Sequence, residues 1–478
     1  MRILYYNWIP FNKKHNTGGG VNVYQNNLIN SFEKKTGYEL FFLSSGIHYS
    51  FFNKKAQIIE TTKGDAACRT FEFYNSPIIA PAAGMNDFKQ FLYDEVTYRE
   101  LKNFITEYGP FDVLHYNNIE GLSGKCLEIK RDFPKMKVLY SLHNYFLFCP
   151  NGYLFFNNSE NCFGKAMQCE ICCKNAVSSK KFEFFYKVDN LCMKLNAESI
   201  APKIKSVGKN INSRIHKNEN YKNDYIDDNN GNKSAFDFEE FRIKNVDRLN
   251  KYVDYILAVS DRVREIAVAY GVRPEKVFTN YIGTKFAESA MTHPHERDNH
   301  DGITIAYMGF LKKEKGIEFL CDALKKFDAE HGKKLSFKCY ARNKGTEYEL
   351  NLIRKIESLQ QVLHKVEYHN GYTHDELPRI MKSIDVGVVP VIWEDNLPQV
   401  AIEFAANGVP VLTSNLGGAN ELSDSPYFVY DSSSQESLIA KLYSIIDNPA
   451  LMQDYYAQFN QLTTMDEHIE KLVYYYQS

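Results

Sequence analysis

The feature that most constrains this chain is an alternation of short apolar runs with helical patterns, which begins at the first residue. Arg2 to Trp8 predicts a strand, and Val21 to Lys34 predicts a helix. Further strands are predicted at Tyr38 to Ser45, Phe111 to His115 and Lys137 to His143. This alternation is typical of parallel βαβ units with helices on both faces of the sheet. The first part of the chain is therefore predicted to be α/β and doubly wound.

The same alternation starts again after about residue 300. Its predicted elements are the strands Thr304 to Gly309, Leu335 to Tyr340, Glu367 to Tyr368, Val386 to Val391 and Val409 to Ser414 and the helix Gly316 to Asp328. We therefore predict an N-terminal Rossmann-like domain over residues 1–285, with an insertion at about 150–250, and a second such domain over 303–455. The polar residues 286–302 are the predicted linker, and residues 456–478 are a predicted C-terminal helix.

Composition and charge exclude several classes of protein. The chain has 478 residues, 44% of them hydrophobic, and a formal net charge of -2, so it lacks the basic excess of a nucleic-acid-binding protein. The N-terminus shows neither the basic region nor the cleavage site of a signal peptide, and no apolar run reaches the roughly 18 residues that span a bilayer. We expect a cytoplasmic protein whose cysteines are reduced thiols or metal ligands.

Three glycines lie between the first predicted strand and the first helix, in Thr17-Gly18-Gly19-Gly20-Val21. Glycine lets backbone amides approach an anion at a helix N-terminus, although a plain flexible loop is the alternative. A nicotinamide cofactor is excluded on two grounds. The spacing is not G-x-G-x-x-G, and the second strand ends at Leu43-Ser44-Ser45 without the acidic residue that binds a ribose.

A lysine-rich turn, Gly309 to Gly316, follows the first strand of the second domain. Lys315 there precedes a helix, where its charge adds to that of the helix amides and attracts phosphate. The alternative is a solvated turn.

Two carboxylates flank a predicted helix start near Leu397 and Pro398. Asp395 precedes Glu403 with seven residues between them, and a turn Gly417-Gly418-Ala419-Asn420-Glu421 follows further along the chain.

Together these motifs resemble the family-4 nucleotide-sugar glycosyltransferases of the GT-B fold over most of residues 1–145 and 250–478. The resemblance implies two Rossmann-like domains that face each other across a cleft, with the nucleotide sugar on the C-terminal domain and the acceptor on the N-terminal domain. It also implies that the C-terminal helix returns to the N-terminal domain.

The resemblance also implies a role for individual residues. Glu403 would bind the ribose hydroxyls, Asp395 would face the donor sugar, and Lys315 would neutralise the leaving diphosphate. The diphosphate is expected to contact the loop at Asn396 and the amides of Leu397, Gln399 and Val400, with Gly19 and Gly20 closing over the phosphates. Tyr372 is expected to lie near the base, and His143 at the reaction centre. A strand-end histidine with purely structural hydrogen bonds is the alternative for His143.

Four features depart from the family pattern, one of which is that Tyr340-Ala341-Arg342-Asn343 replaces a usual Gly-x-Gly turn. Asp395 stands where the family has Glu, and because Glu394 precedes it, either carboxylate could reach the sugar. Phe310 replaces a common arginine, and Asn117 replaces a common histidine.

The implied activity is transfer of a sugar, with retention of configuration, from a nucleotide-diphosphate sugar of UDP type to a glycan or lipid-linked acceptor in bacterial surface polysaccharide synthesis. No metal is expected for catalysis. The alternatives are a catalytically weak nucleotide-sugar-binding partner protein and a sugar-nucleotide epimerase or phosphorylase on the same fold.

The predicted insertion holds two further features. Cys149, Cys162, Cys169 and Cys172 predict a structural zinc site, with unligated thiols and a redox or iron–sulfur function as alternatives. Lys180 to Lys194 mixes lysines with aromatic residues, which predicts either peripheral contact with an anionic membrane or a packed helix with a basic exposed face.

Overall fold

The computed structural model describes residues 1–11, 19–62, 67–82, 85, 87–157, 159–162, 166–173, 176, 178–195, 237–296 and 302–478. Thr17, Gly18, residues 297–301 of the predicted linker and residues 196–236 of the predicted insertion lie outside this part of the chain.

The strands alternate with helices along both halves of the chain. The strands are β1 (Arg2–Tyr6), β2 (Glu39–His48), β3 (Gln57–Glu60), β4 (Cys68–Tyr74), β5 (Val113–Tyr116), β6 (Lys137–Leu142), β7 (Phe155–Phe156), β8 (Glu160–Asn161), β9 (Tyr255–Ala258), β10 (Val277–Thr279), β11 (Ile303–Phe310), β12 (Leu335–Arg342), β13 (Lys365–His369), β14 (Val386–Val389), β15 (Val411–Ser414) and β16 (Val429–Tyr430). The helices are α1 (Gly19–Phe32), α2 (Phe88–Tyr93), α3 (Glu95–Tyr108), α4 (Ala166–Cys173), α5 (Ser179–Lys194), α6 (Phe238–Tyr252), α7 (Asp261–Ala269), α8 (Ile317–Leu324), α9 (Ala329–Lys333), α10 (Glu347–Ser358), α11 (Leu377–Met381), α12 (Gln399–Ala406), α13 (Gln435–Asp447), α14 (Leu451–Ala457) and α15 (Met465–Gln477).

Two large sheets have the strand order of a Rossmann fold. The first is β10-β9-β6-β5-β1-β2-β4-β3, in which β4, β2, β1, β5 and β6 pair in parallel and β3 is antiparallel. The second is β13-β12-β11-β14-β15-β16, and all its pairs are parallel. Each sheet reverses its order beside its first strand, at β1/β5 and at β11/β14. Ligands of such sheets bind outside the carboxyl ends of the strands at this switch point.

The central strands are continuous apolar runs because helices cover both faces of a parallel sheet. Every residue from Ile3 to Tyr6 of β1 is fully buried, and all four residues of β14 are buried as well. The strands and helices predicted from the sequence are confirmed, with ends that differ by a few residues.

Contacts divide the chain into two compact units. The first comprises Met1–Gly152, Gly164–Ile256 and Tyr270–Lys276, and the second comprises Tyr153–Phe163, Leu257–Ala269 and Val277–Ser478. This division does not coincide with the predicted boundary at residue 285, because three segments before that residue join the second unit.

The C-terminal helix α15 packs within the second unit. The imidazole of its His468 is buried and bonds through Nδ1 to the carbonyl oxygen of Tyr281 at 2.9 Å. Burial lowers the pKa of His468 to about 4, so this ring is neutral near pH 7. The helix therefore contacts a segment that the sequence assigned to the first domain but that the structure groups with the second unit. Among the described helices, none combines the length and apolarity that a membrane span requires.

Candidate active site

The switch point of the second unit brings together two residues that lie far apart in the sequence. Lys315 closes a short turn after β11, and Asp395 lies in the loop after β14. Their Nζ and Oδ2 atoms are 2.6 Å apart, with the carboxylate largely buried. The same ammonium group lies 5.4 Å from the centre of the Trp393 ring. The site thus holds a lysine ammonium group, paired with a carboxylate, at the carboxyl edge of the sheet.

Gly316 allows the two loops to approach this closely. Its φ of 72° lies in the left-handed region, and any Cβ there would collide with the carbonyl oxygen of Pro390. The amide of Ile392 also donates to the carbonyl oxygen of Glu314 at 3.1 Å. A glycine is therefore required directly after Lys315.

The neighbouring carboxylates Glu394 and Asp395 have different partners. Arg262, at the start of α7, donates from Nε and Nη2 to the two oxygens of Glu394 at 3.0 and 2.5 Å. The amide of Gly417 donates to the same carboxylate at 3.0 Å. The bidentate ion pair with Arg262 and the Gly417 hydrogen bond hold Glu394 in its loop. Asp395 is therefore the carboxylate that pairs with Lys315.

The turn from Gly417 to Glu421 completes the support of this loop. A Cβ at Gly417 would collide with the backbone of Asp395, and the amide of Gly418 donates to the Asp395 carbonyl oxygen at 2.9 Å. The carboxylate of Glu421 accepts from the amides of Asp261 and Arg262 at 2.9 and 2.7 Å, which caps helix α7. The first turn of α7 is therefore bonded both to Glu394, in the loop after β14, and to Glu421, in the turn that supports this loop.

Helix α12 begins at this loop. Its N-cap residue, Pro398, makes no side-chain cap hydrogen bond. The first amides of an α-helix have no partner within the helix. In α12 these are the amides of Gln399 and Val400, which follow Asn396 and Leu397 of the loop in the chain. Ser260 Oγ donates to the carbonyl oxygen of Asn396 at 2.9 Å.

Glu403 lies one turn further along α12. It is buried, and the Tyr372 hydroxyl donates to its Oε2 at 3.4 Å. Burial raises the pKa of Glu403 to about 7, against smaller opposing effects of the Tyr372 hydrogen bond and the Lys285 charge. The structure thus brings together Lys315, Asp395 and the α12 loop, and it places Glu403 and Tyr372 beside one another.

The switch point of the first unit carries amide and imidazole groups, and the buried Glu120, in the same loop as Asn117, accepts from Asn144 Nδ2 at 2.8 Å. His143, after β6, lies 3.3 Å through Nε2 from Oδ1 of Asn117, after β5, and its ring packs on Tyr24 of α1. Asn118 donates to Asn7 at 2.5 Å. Nδ2 of Asn117 and Oδ1 of Asn118 are buried without a hydrogen-bond partner among the described residues.

The glycines predicted to contact phosphates stand at the start of α1. Gly19 is its first residue, and Gly20 is exposed in its first turn. The residues that precede them are outside the described ranges, so their role stays a prediction.

The predicted zinc site receives no support. Within the described ranges there is no group of three or more His, Cys, Asp or Glu side chains placed to hold a metal ion. Cys162 belongs to the second unit, whereas Cys149, Cys169 and Cys172 belong to the first. The thiols have other partners: Arg242 donates to Cys169 Sγ at 3.3 and 3.4 Å, and Asn151 donates to Cys172 Sγ at 2.9 Å.

Sequence reasoning did not identify Ser260, Arg262 or Tyr281, whose hydroxyl donates to Glu421 at 2.8 Å. These residues form no motif and lie more than 100 positions before the loops that they support. The available signal was the position of Ser260 and Arg262 directly after β9, since polar residues at the carboxyl ends of parallel strands are placed toward ligand sites.

Comparison with known proteins identifies a family for part of the chain. Residues 291–461 match the family described as Glycosyl transferases group 1. An uncharacterized protein of the cps region of Klebsiella pneumoniae is 22% identical over 338 residues, which cover 70% of this chain and 64% of that protein. The chain spans less than two thirds of the length of the curated relatives it matches first.

Solved structures match along nearly the whole chain. Anabaena HepE in complex with UDP and glucose superposes with a TM-score of 0.55 at 12% identity, covering 99% of this chain and 98% of that one. A trehalose-phosphate synthase (UDP-forming) from Burkholderia xenovorans gives 0.58 at 12% identity, with 100% of both chains covered. The chain has the GT-B fold. The predicted fold class is thereby confirmed, and the family match supports a glycosyltransferase.

Proposed function

We propose that this protein is a retaining glycosyltransferase that moves a sugar from a nucleotide-diphosphate sugar to a glycan or lipid-linked acceptor in surface polysaccharide synthesis. The observation that carries the proposal is the Lys315–Asp395 pair, which lies at the β11/β14 switch point beside the N-terminus of α12. An ammonium group, free helix amides and a carboxylate are the groups that a diphosphate and a sugar require.

The nucleotide is held along α12 in this proposal. The amides of Leu397, Gln399 and Val400 bind the diphosphate, while Pro398 cannot donate because it has no N–H. Glu403 accepts hydrogen bonds from two ribose hydroxyls, which a carboxylate can do with its two oxygens. Tyr372, already bonded to Glu403, lies against the base.

The transfer itself needs charge stabilisation more than a nucleophilic side chain. The bond between the anomeric carbon and the diphosphate oxygen breaks with its electron pair on that oxygen, and the acceptor oxygen bonds to the same face of the carbon. The leaving phosphate takes the acceptor proton, so that no second carboxylate is required as in glycosidases. Lys315 turns from Asp395 to the diphosphate, and Asp395 then accepts from a hydroxyl of the donor sugar.

The first unit supplies the acceptor groups. His143 and Asn117 lie at its own switch point, and Nδ2 of Asn117 has a free donor position within the described part of the chain. A donor of this kind fits a sugar hydroxyl. No catalytic role for Cys149, Cys162, Cys169 or Cys172 is part of the proposal.

We propose a UDP sugar as donor because two proteins that share the fold point to UDP: HepE was solved in complex with UDP and glucose, and the trehalose-phosphate synthase is described as UDP-forming. The Klebsiella relative from a cps region supports a role in surface polysaccharide synthesis.

One observation favours a second candidate, a nucleotide-sugar-binding protein with weak catalysis. Phe310, where the resembled family commonly has arginine, is 51% exposed at the end of β11, so that Lys315 lacks a second cation at that position. Turnover of the donor distinguishes the two candidates.

A thermal-shift series with UDP, GDP, ADP, TDP and CMP tests the donor site. A ligand at 100 times its dissociation constant stabilises the native state by about 2.7 kcal/mol. We expect a shift with UDP that is roughly halved in Glu403→Ala at the same UDP concentration, as a tenfold weaker affinity requires. If none of the nucleotides shifts the unfolding temperature, the proposed donor site is wrong; if UDP binds but UDP sugars are not consumed with any acceptor, the second candidate holds.

A further inference from the structure

An aromatic and basic surface on the first unit lies outside the proposed active site. Helix α5 has two faces: Phe182 and Tyr186 pack inward against Tyr49, Ile79 and Met85, while Phe184 is 45% exposed. Lys180 and Lys181 stand four and three positions before Phe184, on the same outward side of the helix, and both are exposed.

The loop after β2 extends this surface. Phe51 meets Phe184 edge to face, with ring centres 6.0 Å apart. Phe52 next to it is 87% exposed, and Lys54 and Lys55 are exposed as well. We name this set, Phe51, Phe52, Lys54, Lys55, Lys180, Lys181 and Phe184, the aromatic-basic surface.

Hydrogen bonds hold the loop in the shape that exposes Phe52. Ser50 Oγ accepts from the amides of Phe52 and Asn53 at 3.2 and 3.3 Å. Asn75 donates from Nδ2 to the carbonyl oxygens of Asn53 and Lys55, both at 2.9 Å. These four hydrogen bonds fix the turn from which the side chain of Phe52 is exposed.

The helix is bonded to the same region. Asn190 donates to the carbonyl oxygens of Ile47 and Tyr49 at 3.3 and 3.1 Å, and the Tyr186 hydroxyl donates to that of Ala80 at 2.7 Å. The loop and the helix thus present their exposed residues as one surface.

The charge of this surface is not compensated within the described ranges. None of the ammonium groups of Lys54, Lys55, Lys180 and Lys181 forms an ion pair there, and Glu183, the acid nearest in sequence to Phe184, is paired with Lys187 at 2.5 Å. Exposed aromatic rings among unpaired lysines match the interface of an anionic bilayer, where rings enter the headgroup region and lysines meet the phosphates.

We propose that the aromatic-basic surface binds the headgroup region of an anionic phospholipid membrane, with Phe52 as the inserted residue. The role of this membrane contact rests on the proposed function, because contact with a bilayer would bring a glycosyltransferase to its lipid-linked acceptor. The binding itself requires neither donor nor catalysis, and so it can be measured separately.

The experiment is co-sedimentation of the full chain with vesicles of phosphatidylcholine alone and of phosphatidylcholine with one third phosphatidylglycerol. Each lysine near an anionic surface contributes roughly fivefold to binding, equivalent to about 1 kcal/mol. Lys54→Glu/Lys55→Glu is therefore expected to weaken binding to the anionic vesicles by at least roughly 25-fold. The matched control is Lys325→Glu/Lys382→Glu, which changes the net charge equally at two exposed lysines of the second unit that form no ion pair among the described residues.

Three further measurements complete the test. Lys180→Glu/Lys181→Glu probes the helix side of the surface, and the UDP thermal shift of each variant reports whether it is folded and binds nucleotide. Phe52→Trp is expected to show a blue-shifted emission with anionic vesicles. Equal binding to both kinds of vesicle, an equal loss in the control variant, or an unshifted Phe52→Trp emission would each overturn the proposal.

Discussion

The two large sheets share the order of their central parallel strands, yet their switch points carry different chemistry. The β11/β14 edge holds charged groups, Lys315 with Asp395 and Arg262 with Glu394. The β1/β5 edge holds amides and an imidazole, among them Asn117 and His143. The same central strand order therefore carries ion pairs at one switch point and mainly amide and imidazole groups at the other, so the side chains and not the shared topology set the chemistry of each edge.

The largest expected effect comes from the lysine of the charged edge. Lys315→Ala should lower kcat by roughly 100- to 1000-fold, as loss of a charge-stabilising donor does in other enzymes, while the Kd of UDP rises much less. Steady-state kinetics and calorimetry measure the two quantities.

Lys313→Ala is the matched control for this lysine. Lys313 lies in the same turn and is exposed, so its removal should leave kcat within about twofold if the position of Lys315 at Asp395 is what matters. A similar loss in both variants would show that the turn only needs positive charge.

The second effect is on stability. Arg262→Ala leaves the buried Glu394 without its partner, and breaking a buried pair costs about 3 to 5 kcal/mol. Because the arginine side chain is 38% exposed, we expect about 2 kcal/mol in the free energy of unfolding, measured by denaturant titration.

Arg262→Ala/Glu394→Gln serves as the control, since it removes the uncompensated charge. It should regain part of the lost stability. If it is no more stable than Arg262→Ala, the pair does not hold the loop in the way we infer.

The third effect concerns Glu403. Glu403→Ala should weaken binding of UDP-glucose roughly tenfold, the effect of about one charge-assisted hydrogen bond. Phe404, its buried neighbour on α12, should not be used as a control because it belongs to the core. The control is Asn407→Ala. Asn407 donates to the carbonyl oxygen of Glu403 at 2.8 Å, and this variant should bind UDP-glucose nearly as tightly as the native protein does.

The same carboxyl group makes binding depend on pH. Since burial raises the pKa of Glu403 to about 7, the carboxylate that accepts from the ribose forms as the pH rises through that value. Affinity for UDP-glucose, which itself has no group that titrates there, should increase between pH 6 and pH 8 and should be flat in Glu403→Gln. The folded state holds this proton more tightly than the unfolded chain, so that this group lowers the free energy of unfolding as the pH rises from about 4.5 to about 7.

The smallest effect is expected at the β1/β5 edge. His143→Ala and Asn117→Ala should raise the KM for acceptor severalfold, since each removes one neutral hydrogen bond, and should leave the Kd of UDP unchanged. A changed Kd of UDP would contradict the separation of the two edges. His143→Asn keeps a hydrogen-bonding group and is expected to fall between the native protein and His143→Ala.

Much of the fold was predictable from the sequence. Each unit repeats apolar runs such as Ile3 to Tyr6 and Val386 to Val389, and such runs become buried parallel strands because both faces of the sheet are covered. The site loops were predictable as well, because the turns that contain Gly316, Gly417 and Gly418 stand out in the sequence. The structure adds that a side chain at each of these positions would collide with neighbouring backbone.

The predicted zinc site gains no support among the described residues. A C-x-x-C spacing places Cys169 and Cys172 one turn apart on α4, but a metal site also depends on what else approaches the sulfur atoms. Arg242 and Asn151 occupy those positions with their own hydrogen bonds.

By itself, the sequence determined the alternation of strands and helices, the glycines of the turns and the acidic and basic residues of the second half, because these depend on local patterns. Only the tertiary structure decided which of two adjacent carboxylates meets Lys315. Arg262, 132 positions before Glu394, takes one of them, and no local pattern specifies a contact over that distance. The division of α5 into an inward face and an exposed Phe184 was decided in the same way, by the elements that pack against the helix.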